Sequence, residues 1–235
     1  MATVYASNSG YIYKYAAGTW AAIRGATTGA AYNAPSSGRN YYAMSVYHTG
    51  GRGGNVYRVQ RSYLYFDTSS ITGTLSEATL KVYGYSQTSA DIIVVKSDAY
   101  GGDGGTALAS GDFDNLDFST AYSSQVSTWS TSGYNDIALN ATALTDIKDD
   151  DAFIVCIIEH DHDYSDSAPS SSTFRSGMYY DNYTGTSRDP YIDYTLSPTG
   201  YSHSVTGVDG AGSAHTFLGK VNGVAMANIE KVIGV

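Results

Sequence analysis

The stretch VYRVQRSYLYFDT, residues 56–68, decides the fold, because aromatic and β-branched residues dominate it and neighbouring side chains differ in character. Successive side chains of a strand point to opposite faces, so Leu64 and Phe66 share one face and Tyr63 and Tyr65 share the other. The stretch therefore predicts a β-strand with one face in the core and tyrosine rings covering its other face.

Strand-like segments of this kind recur through most of the chain and are separated by turn-forming residues. Ten further segments have this pattern: 3–7, 10–15, 20–24, 41–47, 78–85, 91–98, 136–139, 152–160, 173–180 and 190–196. Short strands at this spacing are typical of sandwiches and barrels. We therefore predict an all-β, jelly-roll-like antiparallel β-sandwich over residues 1–198.

One helix and two irregular segments interrupt the strand pattern. Asn140 is a good N-cap for a helix over residues 141–149. Asp67, followed by serines, predicts a turn in which its carboxylate binds the local backbone. The glycine-rich connection 100–120 is long enough to suggest an excursion beyond the sheets that contacts a partner.

The sequence pattern changes after the segment 190–196. Residues 199–235 are too few and too rich in glycine to form an independent core, which predicts an extended C-terminal arm. The arm contains a short repeat, KVNGV at 220–224 and KVIGV at 231–235. Either the arm is free, or its valine and isoleucine side chains dock on a neighbouring surface.

Charge and composition disfavour several classes of protein. The net charge of -9 repels a phosphate backbone, so we expect no nucleic-acid partner. Nothing approaches the apolar length of a membrane span, and the first 25 residues contain no apolar run typical of a secretory signal. The 23 tyrosines favour a β-rich protein with broad contact surfaces, either outside a cell or in a particle.

No motif of a known catalytic centre is present. The sequence lacks a nucleophile elbow, a Walker loop, an HExxH zinc motif and a dinucleotide-binding glycine motif. The single cysteine, Cys156, lies in the apolar run AFIVCII, which favours a buried side chain over a nucleophile. We therefore expect neither an enzyme nor a cofactor.

The stretch IIEHDHDYSDSAP, residues 157–169, is the densest group of metal-binding residue types in the chain. If the strand continued through it, His160 and His162 would project to the same side as half of a zinc site. Oxygens of Asp161, Asp163 and Asp166 could instead surround one calcium ion. The simpler interpretation is a core strand that ends at Glu159 and meets solvent.

The segment RSYLYFDTSSITGTLSEATLKVYGY, residues 61–85, resembles the DNRLRE-type β-sandwich family, which is also classed among carbohydrate-binding modules. The matching positions are Arg61, Leu64, Phe66, Asp67, Ser69, Ala78, Leu80 and Tyr83. Residues 173–196 are similar to a later signature of that family, so the resemblance covers about residues 1–198. The chain as a whole is similar to proteins encoded among the structural genes of tailed phages.

This resemblance implies two functions. The first is a structural virion protein, such as a capsid decoration, head fibre or tail-associated subunit, made in the host cytoplasm without a signal peptide. Its partners would be copies of itself and other virion proteins, bound through the arm and the tyrosine-rich surfaces. The second is a carbohydrate-binding module or adhesin that recognises a host-surface glycan through a tyrosine-rich face or through residues 100–120.

Overall fold

The computed structural model describes residues 2–33, 37–52, 54–170, 172–198, 204–208 and 214–218. The chain divides into an N-terminal unit, Met1–Leu196, and a C-terminal unit, Ser197–Val235. Strands are the main regular structure of the N-terminal unit, and the ladders between them are antiparallel. The predicted all-β sandwich is confirmed.

The described part of the N-terminal unit contains strands of 4 to 14 residues and a few short helices. The strands are β1 (Ala2–Tyr5), β2 (Asn8–Ala17), β3 (Ala30–Asn33), β4 (Arg39–Thr49), β5 (Val56–Asp67), β6 (Leu75–Thr88), β7 (Ile92–Ser97), β8 (Leu116–Ala121), β9 (Tyr134–Ala138), β10 (Ala152–Glu159), β11 (Ser172–Tyr179) and β12 (Tyr191–Leu196). The helices are α1 (Trp20–Arg24) and α2 (Ala141–Asp149). Single helical turns cover Tyr100–Gly102, Ser110–Asp114, His160–Tyr164 and Thr186–Arg188.

Strand β6 belongs to both layers of the sandwich. Its first part pairs with β12 and β9 in the first sheet, whose order is β1-β12-β6-β9. Its last part pairs with β11 in the second sheet. At the change of partner, a Cβ on Gly84 would lie 1.8 Å from the Ser130 carbonyl oxygen, so a larger residue is excluded.

Strand β5 is the centre of the second sheet. Strand β2 pairs with β5 over residues 56–65, β4 pairs with residues 56–60, and β10 pairs with residues 62–67. Beyond these neighbours, β11 extends the sheet from β4, and β7 and β8 extend it from β10. The strand predicted from VYRVQRSYLYFDT thus pairs directly with β2, β4 and β10.

The two sheets enclose the first of two hydrophobic cores. Leu64 and Phe66 of β5 lie in this core with no exposed surface, as the alternation predicts. Helix α2 closes one end with Ala143 and Ile147, and the Asn140 side chain accepts a hydrogen bond from the Ala143 amide. The predicted helix and its N-cap are confirmed.

A second core covers the opposite face of β5, where the sequence predicted surface tyrosines. Tyr63 has no exposed surface, because the connection from 100 to 115 and helix α1 lie over it. Tyr100, Leu108 and Phe113 of that connection are buried there, and the Tyr63 hydroxyl donates to the Phe113 carbonyl at 3.1 Å. The first half of the predicted excursion is therefore a third layer of the fold.

Two strands of the N-terminal unit were missed, and one segment of it was wrongly predicted as a strand. Strand β8 lies inside the connection 100–120, and β3 precedes the residues 34–36 that the structure does not describe. Residues 20–24 form helix α1 and not a strand, because Thr19 caps them and Trp20 and Ile23 reach the second core one turn apart. Short apolar runs do not distinguish the two states by periodicity.

Two smaller predictions are confirmed. Asp67 accepts hydrogen bonds from the Ser69 amide at 3.1 Å and from the Ser69 hydroxyl at 2.6 Å, so it forms the predicted turn. Cys156 has no exposed surface, and burial raises the pKa of its thiol, so it is a core residue. Within the described residues, no helix has the length and apolar character needed to cross a membrane.

The C-terminal unit contains β13 (Ser204–Val208) and β14 (Ala214–Leu218), which pair antiparallel with each other. Both copies of the KVNGV and KVIGV repeat lie outside the described residues. The predicted docking role of the arm therefore stays a prediction.

Candidate functional site

The histidine- and aspartate-rich stretch is a turn organised by one buried carboxylate. Strand β10 ends at Glu159, and residues 160–164 form a single π-helical turn. The Glu159 carboxylate has no exposed surface and accepts hydrogen bonds from the amides of Asp161, His162 and Asp163 at 2.8–3.1 Å. Burial raises the pKa of Glu159, although these amides and the His162 ring act in the opposite direction.

The two histidines of this turn do not form the half of a zinc site that a continuing strand would have given. Because the strand stops before them, they do not project together as they would on an extended chain. The His160 ring stacks on Tyr164, with 5.6 Å between the centroids. The His162 ring lies 4.2 Å from the Phe174 centroid, and its Nδ1 is 3.1 Å from a Glu159 oxygen.

A second buried carboxylate of the stretch, that of Asp163, is paired with an arginine of β5. The Asp163 carboxylate accepts two hydrogen bonds from the Arg61 guanidinium, both at 2.8 Å, and neither side chain reaches solvent. Arg61 also donates to the Phe113 carbonyl at 2.6 Å and to the Arg24 carbonyl at 2.9 Å. Burial alone would lower the pKa of Arg61, but the charge and hydrogen bonds of Asp163 raise it. This pair joins β5, α1, the covering connection and the turn.

The three aspartates of the stretch do not form a calcium site, although Arg24 lies 3.6 Å from an oxygen of both Asp163 and Asp166. Asp161 is exposed and lies beside Gln125 and His160. Asp166 accepts from the Trp20 indole at 3.0 Å. Across the described part of the chain, no three histidine, cysteine or acidic side chains are grouped so that they could hold a metal ion.

A cleft of about 500 Å³ lies beside the end of α2, and most of the charged residues that line it are acidic. Its lining includes Asp98, Asp103, Lys96 and the segment 149–151. The Lys96 amine is 2.9 Å from an Asp146 oxygen, which raises the pKa of Lys96. The cleft is therefore the solvent-facing C-terminal end of α2, where Lys96 forms an ion pair with Asp146 and further aspartates lie at the surface.

A second feature is a row in which tyrosine rings alternate with guanidinium groups. The row crosses four adjacent strands and consists of Tyr13 (β2), Arg58 (β5), Tyr42 (β4), Arg175 (β11) and Tyr41 (β4). The Arg58 Cζ lies 4.4 Å and 5.1 Å from the ring centroids of Tyr13 and Tyr42. The Arg175 Cζ lies 4.8 Å and 5.7 Å from those of Tyr42 and Tyr41. We call these five side chains the arginine–tyrosine row.

The row lies where the inner face of β5 leaves the core. Arg58 and Gln60 share the alternation of Leu64 and Phe66, but the hydrophobic core on this face ends at Leu64. The row side chains themselves are partly or largely exposed, and Tyr41 is 50% exposed. Tyr15, in register with Arg58, adds a ring that is 56% exposed. The surface is therefore aromatic, cationic and open.

The two arginines of the row have no acidic partner. Within the described residues the ion pairs formed by other lysines and arginines involve Asp136, Asp146, Asp149, Asp150, Asp163 and Asp166, and none involves Arg58 or Arg175. Cation–π contacts stabilise a guanidinium only in part, because they satisfy none of its N–H groups. The chain has 22 acidic residues, so two arginines without an acidic partner within the described residues are a distinctive property of this surface.

Beneath the row, two fully buried polar residues lie opposite each other. Ser45 and Gln60 are partners in the β4–β5 ladder, and Ser45 is also opposite Arg175 in the β4–β11 ladder. The Gln60 Oε1 accepts from Arg58. Ser45 Oγ, Gln60 Nε2, Arg58 Nε and Arg175 Nε are buried, and none has a hydrogen-bond partner within the described part of the chain. Native proteins rarely leave buried polar groups without a partner.

A second tyrosine-rich surface covers the outer face of the first sheet. Successive ring contacts link Tyr5, Tyr191, Tyr134, Tyr83 and Tyr179, with centroids 5.0–5.4 Å apart. The Arg188 Cζ lies 4.6 Å from the Tyr179 centroid and 5.0 Å from that of Tyr83. We call this set, with Arg188, the outer tyrosine surface.

Asp189, beside this surface, carries a charge that the fold holds unfavourably. Its Oδ1 is buried without a hydrogen-bond partner among the described residues, and burial, followed by the charge of Asp181, raises its pKa to about 6. The protonated Asp189 carboxyl is the form that the fold favours. Its contribution to the free energy of unfolding is fully present below the unfolded pKa of about 4 and is lost as the pH rises through about 6.

We expect Asp189→Asn to increase the free energy of unfolding at pH 7 by about 1 kcal/mol, because the variant does not bury a charge. The gain should shrink towards zero near pH 4, where the wild-type carboxyl is protonated as well. Thermal melts from pH 4 to pH 8 would measure it, with exposed Asp114→Asn as the control. A gain that did not depend on pH would contradict this explanation.

Sequence reasoning located the rings of the row but missed its arginines. The sequence predicted tyrosine-rich surfaces, and the rings of the row lie in its segments YIYKY and NYYAMSVY. The signal that could have found the rest is the alternation Arg58, Gln60, Ser62, which continues the face of Leu64 and Phe66 with polar residues. The unpartnered state of the arginines depends on contacts between distant segments and leaves no sequence signal.

A scan against protein-family models finds no match for the chain, and a search of curated proteins finds none similar to it.

Proposed function

We propose that this protein is a non-catalytic glycan-binding module and that the arginine–tyrosine row is its binding surface. The observation that carries the proposal is the row itself, an open line of rings and guanidinium groups above buried polar groups that lack partners. Flat aromatic faces contact sugar rings, and polar groups beside them bind hydroxyls. The resemblance of residues 61–85 to a carbohydrate-binding family supports the same function.

The layout of the row suits an extended chain of sugars better than a small molecule in a pocket. Its side chains come from four neighbouring strands, which are spaced about 4.8 Å apart, so the row is on the order of 15 Å long. Because the supporting residues lie on paired strands of a packed sandwich, their positions are fixed before a ligand binds. A rigid site of this kind loses little conformational entropy on binding.

The test is retention of the purified protein by immobilised polysaccharides, measured by affinity electrophoresis and on a glycan array. We expect at least one polysaccharide to bind, and Tyr42→Ala to weaken that binding by about tenfold through loss of the central ring. Tyr5→Ala is the matched control, because Tyr5 is 47% exposed and belongs to the outer tyrosine surface. Failure of every polysaccharide to bind, or equal loss in both variants, would refute the proposal.

A second candidate is a structural virion subunit, favoured by the outer tyrosine surface. Tyrosine and arginine are enriched at the centres of protein interfaces, and this surface combines them on one sheet face. On this proposal the surface binds a copy of the protein or another virion protein, and residues 199–235 anchor the subunit. Light scattering of the full chain and of a chain ending at residue 198 tests it, since a monomer in both cases would contradict self-assembly.

A further inference from the structure

The unpartnered groups around the row are nearly all hydrogen-bond donors. Arg58 Nε, Arg175 Nε and Gln60 Nε2 carry N–H groups and have no acceptor capacity. Ser45 Oγ is the fourth, and a hydroxyl can donate as well as accept. The orientation of the Gln60 amide follows from its partner, because an arginine only donates and Oε1 must therefore face Arg58. What this site lacks is acceptor oxygens.

The local positive charge of Arg58 and Arg175 also indicates that this site lacks acceptor oxygens. The guanidinium groups of Arg58 and Arg175 both contact the ring of Tyr42, with each Cζ 4.8–5.1 Å from its centroid, so two positive charges lie close to one residue. Within the described residues neither is balanced by a carboxylate. Two positive charges near the same ring repel each other, and an anion that binds both guanidinium groups would offset the repulsion. The same anion would supply the missing acceptors.

The four donor groups belong to one site and not to scattered positions. Ser45 is directly opposite Gln60 on one side and Arg175 on the other, and directly opposite residues have Cβ atoms about 4.5–5.5 Å apart. Arg58 is bonded to Gln60. A single carboxylate or sulfate group has two or three oxygens, so movement of the partly exposed arginine heads would let one group reach several of these donors.

From this geometry we propose that the glycan bound by the row is acidic: a sugar carboxylate or sulfate ester pairs with Arg58 and Arg175 while the tyrosine rings contact the sugar faces. This proposal rests on the proposed function and names the class of its ligand. Guanidinium groups bind carboxylate and sulfate oxygens with charge-assisted hydrogen bonds that are stronger than bonds between neutral groups. A neutral glycan would leave both charges uncompensated.

Two matched pairs of polymers test the anion separately from the glycan. Polygalacturonate is compared with its fully methyl-esterified form, and dextran sulfate with dextran, by isothermal titration calorimetry at about 0.15 M salt to screen long-range attraction. We expect the anionic member of at least one pair to bind about tenfold more tightly or better than the neutral member. The first pair reports on a carboxylate and the second on a sulfate ester.

Variants assign the effect to the row. Arg175→Gln should remove most of the preference for the anionic polymer, whereas Arg188→Gln should leave it unchanged, because Arg188 also stacks on tyrosines but belongs to the outer tyrosine surface. Equal losses in these two variants would indicate non-specific attraction and overturn the proposal. If Arg175→Gln failed to fold, Arg175→Lys would replace it, with a partial loss expected since lysine keeps the charge but not the planar fork.

Gln60→Glu provides a second test, and one of its two measurements, the melting temperature, does not require a glycan. The new carboxylate has nearly the shape of the amide and offers Arg58 an anionic acceptor in place of the neutral amide oxygen, so it should compete with the external anion. We expect the variant to lose binding of the anionic polymer and to melt at the same temperature as the wild type or higher. A large decrease in melting temperature would contradict the view that this site lacks acceptors.

The outcomes for the two proposals differ. If the methyl-esterified and unsubstituted polymers bound as tightly as their anionic partners, the anion would be refuted while the glycan-binding function stood. If no polysaccharide of the panel bound, neutral or anionic, both proposals would fail.

Discussion

Replacing Asp163 with asparagine is expected to reduce the free energy of unfolding by about 3–5 kcal/mol. The variant keeps the size of the side chain but removes the one carboxylate that pairs with Arg61 within the described residues, and the Arg61 guanidinium has no exposed surface. A buried charge without its partner carries most of the cost of leaving water, and that cost is the source of the expected loss. Urea denaturation at pH 7 measures the change.

Asp161→Asn is the matched control for this experiment, because Asp161 belongs to the same turn but is exposed. We expect its free energy of unfolding to lie within about 0.5 kcal/mol of the wild type. An equal loss in both variants would show that the turn and not the ion pair holds the structure together. A negligible loss in Asp163→Asn would show that Arg61 finds other compensation.

Replacing Phe113 with alanine is expected to reduce the free energy of unfolding by about 3–5 kcal/mol. The Phe113 ring is fully buried in the second core, and the Arg61 Cζ lies 4.2 Å from its centroid. The variant therefore loses apolar contacts, leaves a cavity and removes a cation–π contact. Thermal and urea unfolding both measure the loss.

Leu196→Ala is the control for this second experiment, since it truncates a large apolar residue that is 44% exposed. We expect a change within about 0.5 kcal/mol. If Phe113→Ala were equally mild, the connection from 100 to 115 would be a loosely attached loop. The interpretation as an excursion, made from its glycine content, would then be the better one.

The two kinds of arginine on β5 show why local sequence is insufficient for function. Arg58 and Arg61 are three positions apart, so they lie on opposite faces of the strand. Arg61 is one of the positions on which the family resemblance rests, and here it is wholly occupied by Asp163 and two carbonyl groups. Arg58 has no acidic partner within the described residues, and it is the arginine on which the proposed binding surface depends.

The sequence alone was enough to determine most of the strands, the capped helix and the buried cysteine. Each of these follows from local properties: side-chain alternation for β5, one N-cap for α2, and an apolar run around Cys156. Each of these signals is contained in a segment of about ten consecutive residues. For that reason the all-β sandwich could be predicted without coordinates.

Only the tertiary structure decided what the polar residues do. Asp163 pairs with an arginine 102 positions away, so its carboxylate could not be separated from those of its neighbours by spacing. The arginine–tyrosine row joins side chains from β2, β4, β5 and β11, which become neighbours only through strand pairing. Apolar residues reveal burial by their own pattern, whereas a polar residue takes its role from the partner it meets, and that partner is chosen by the fold.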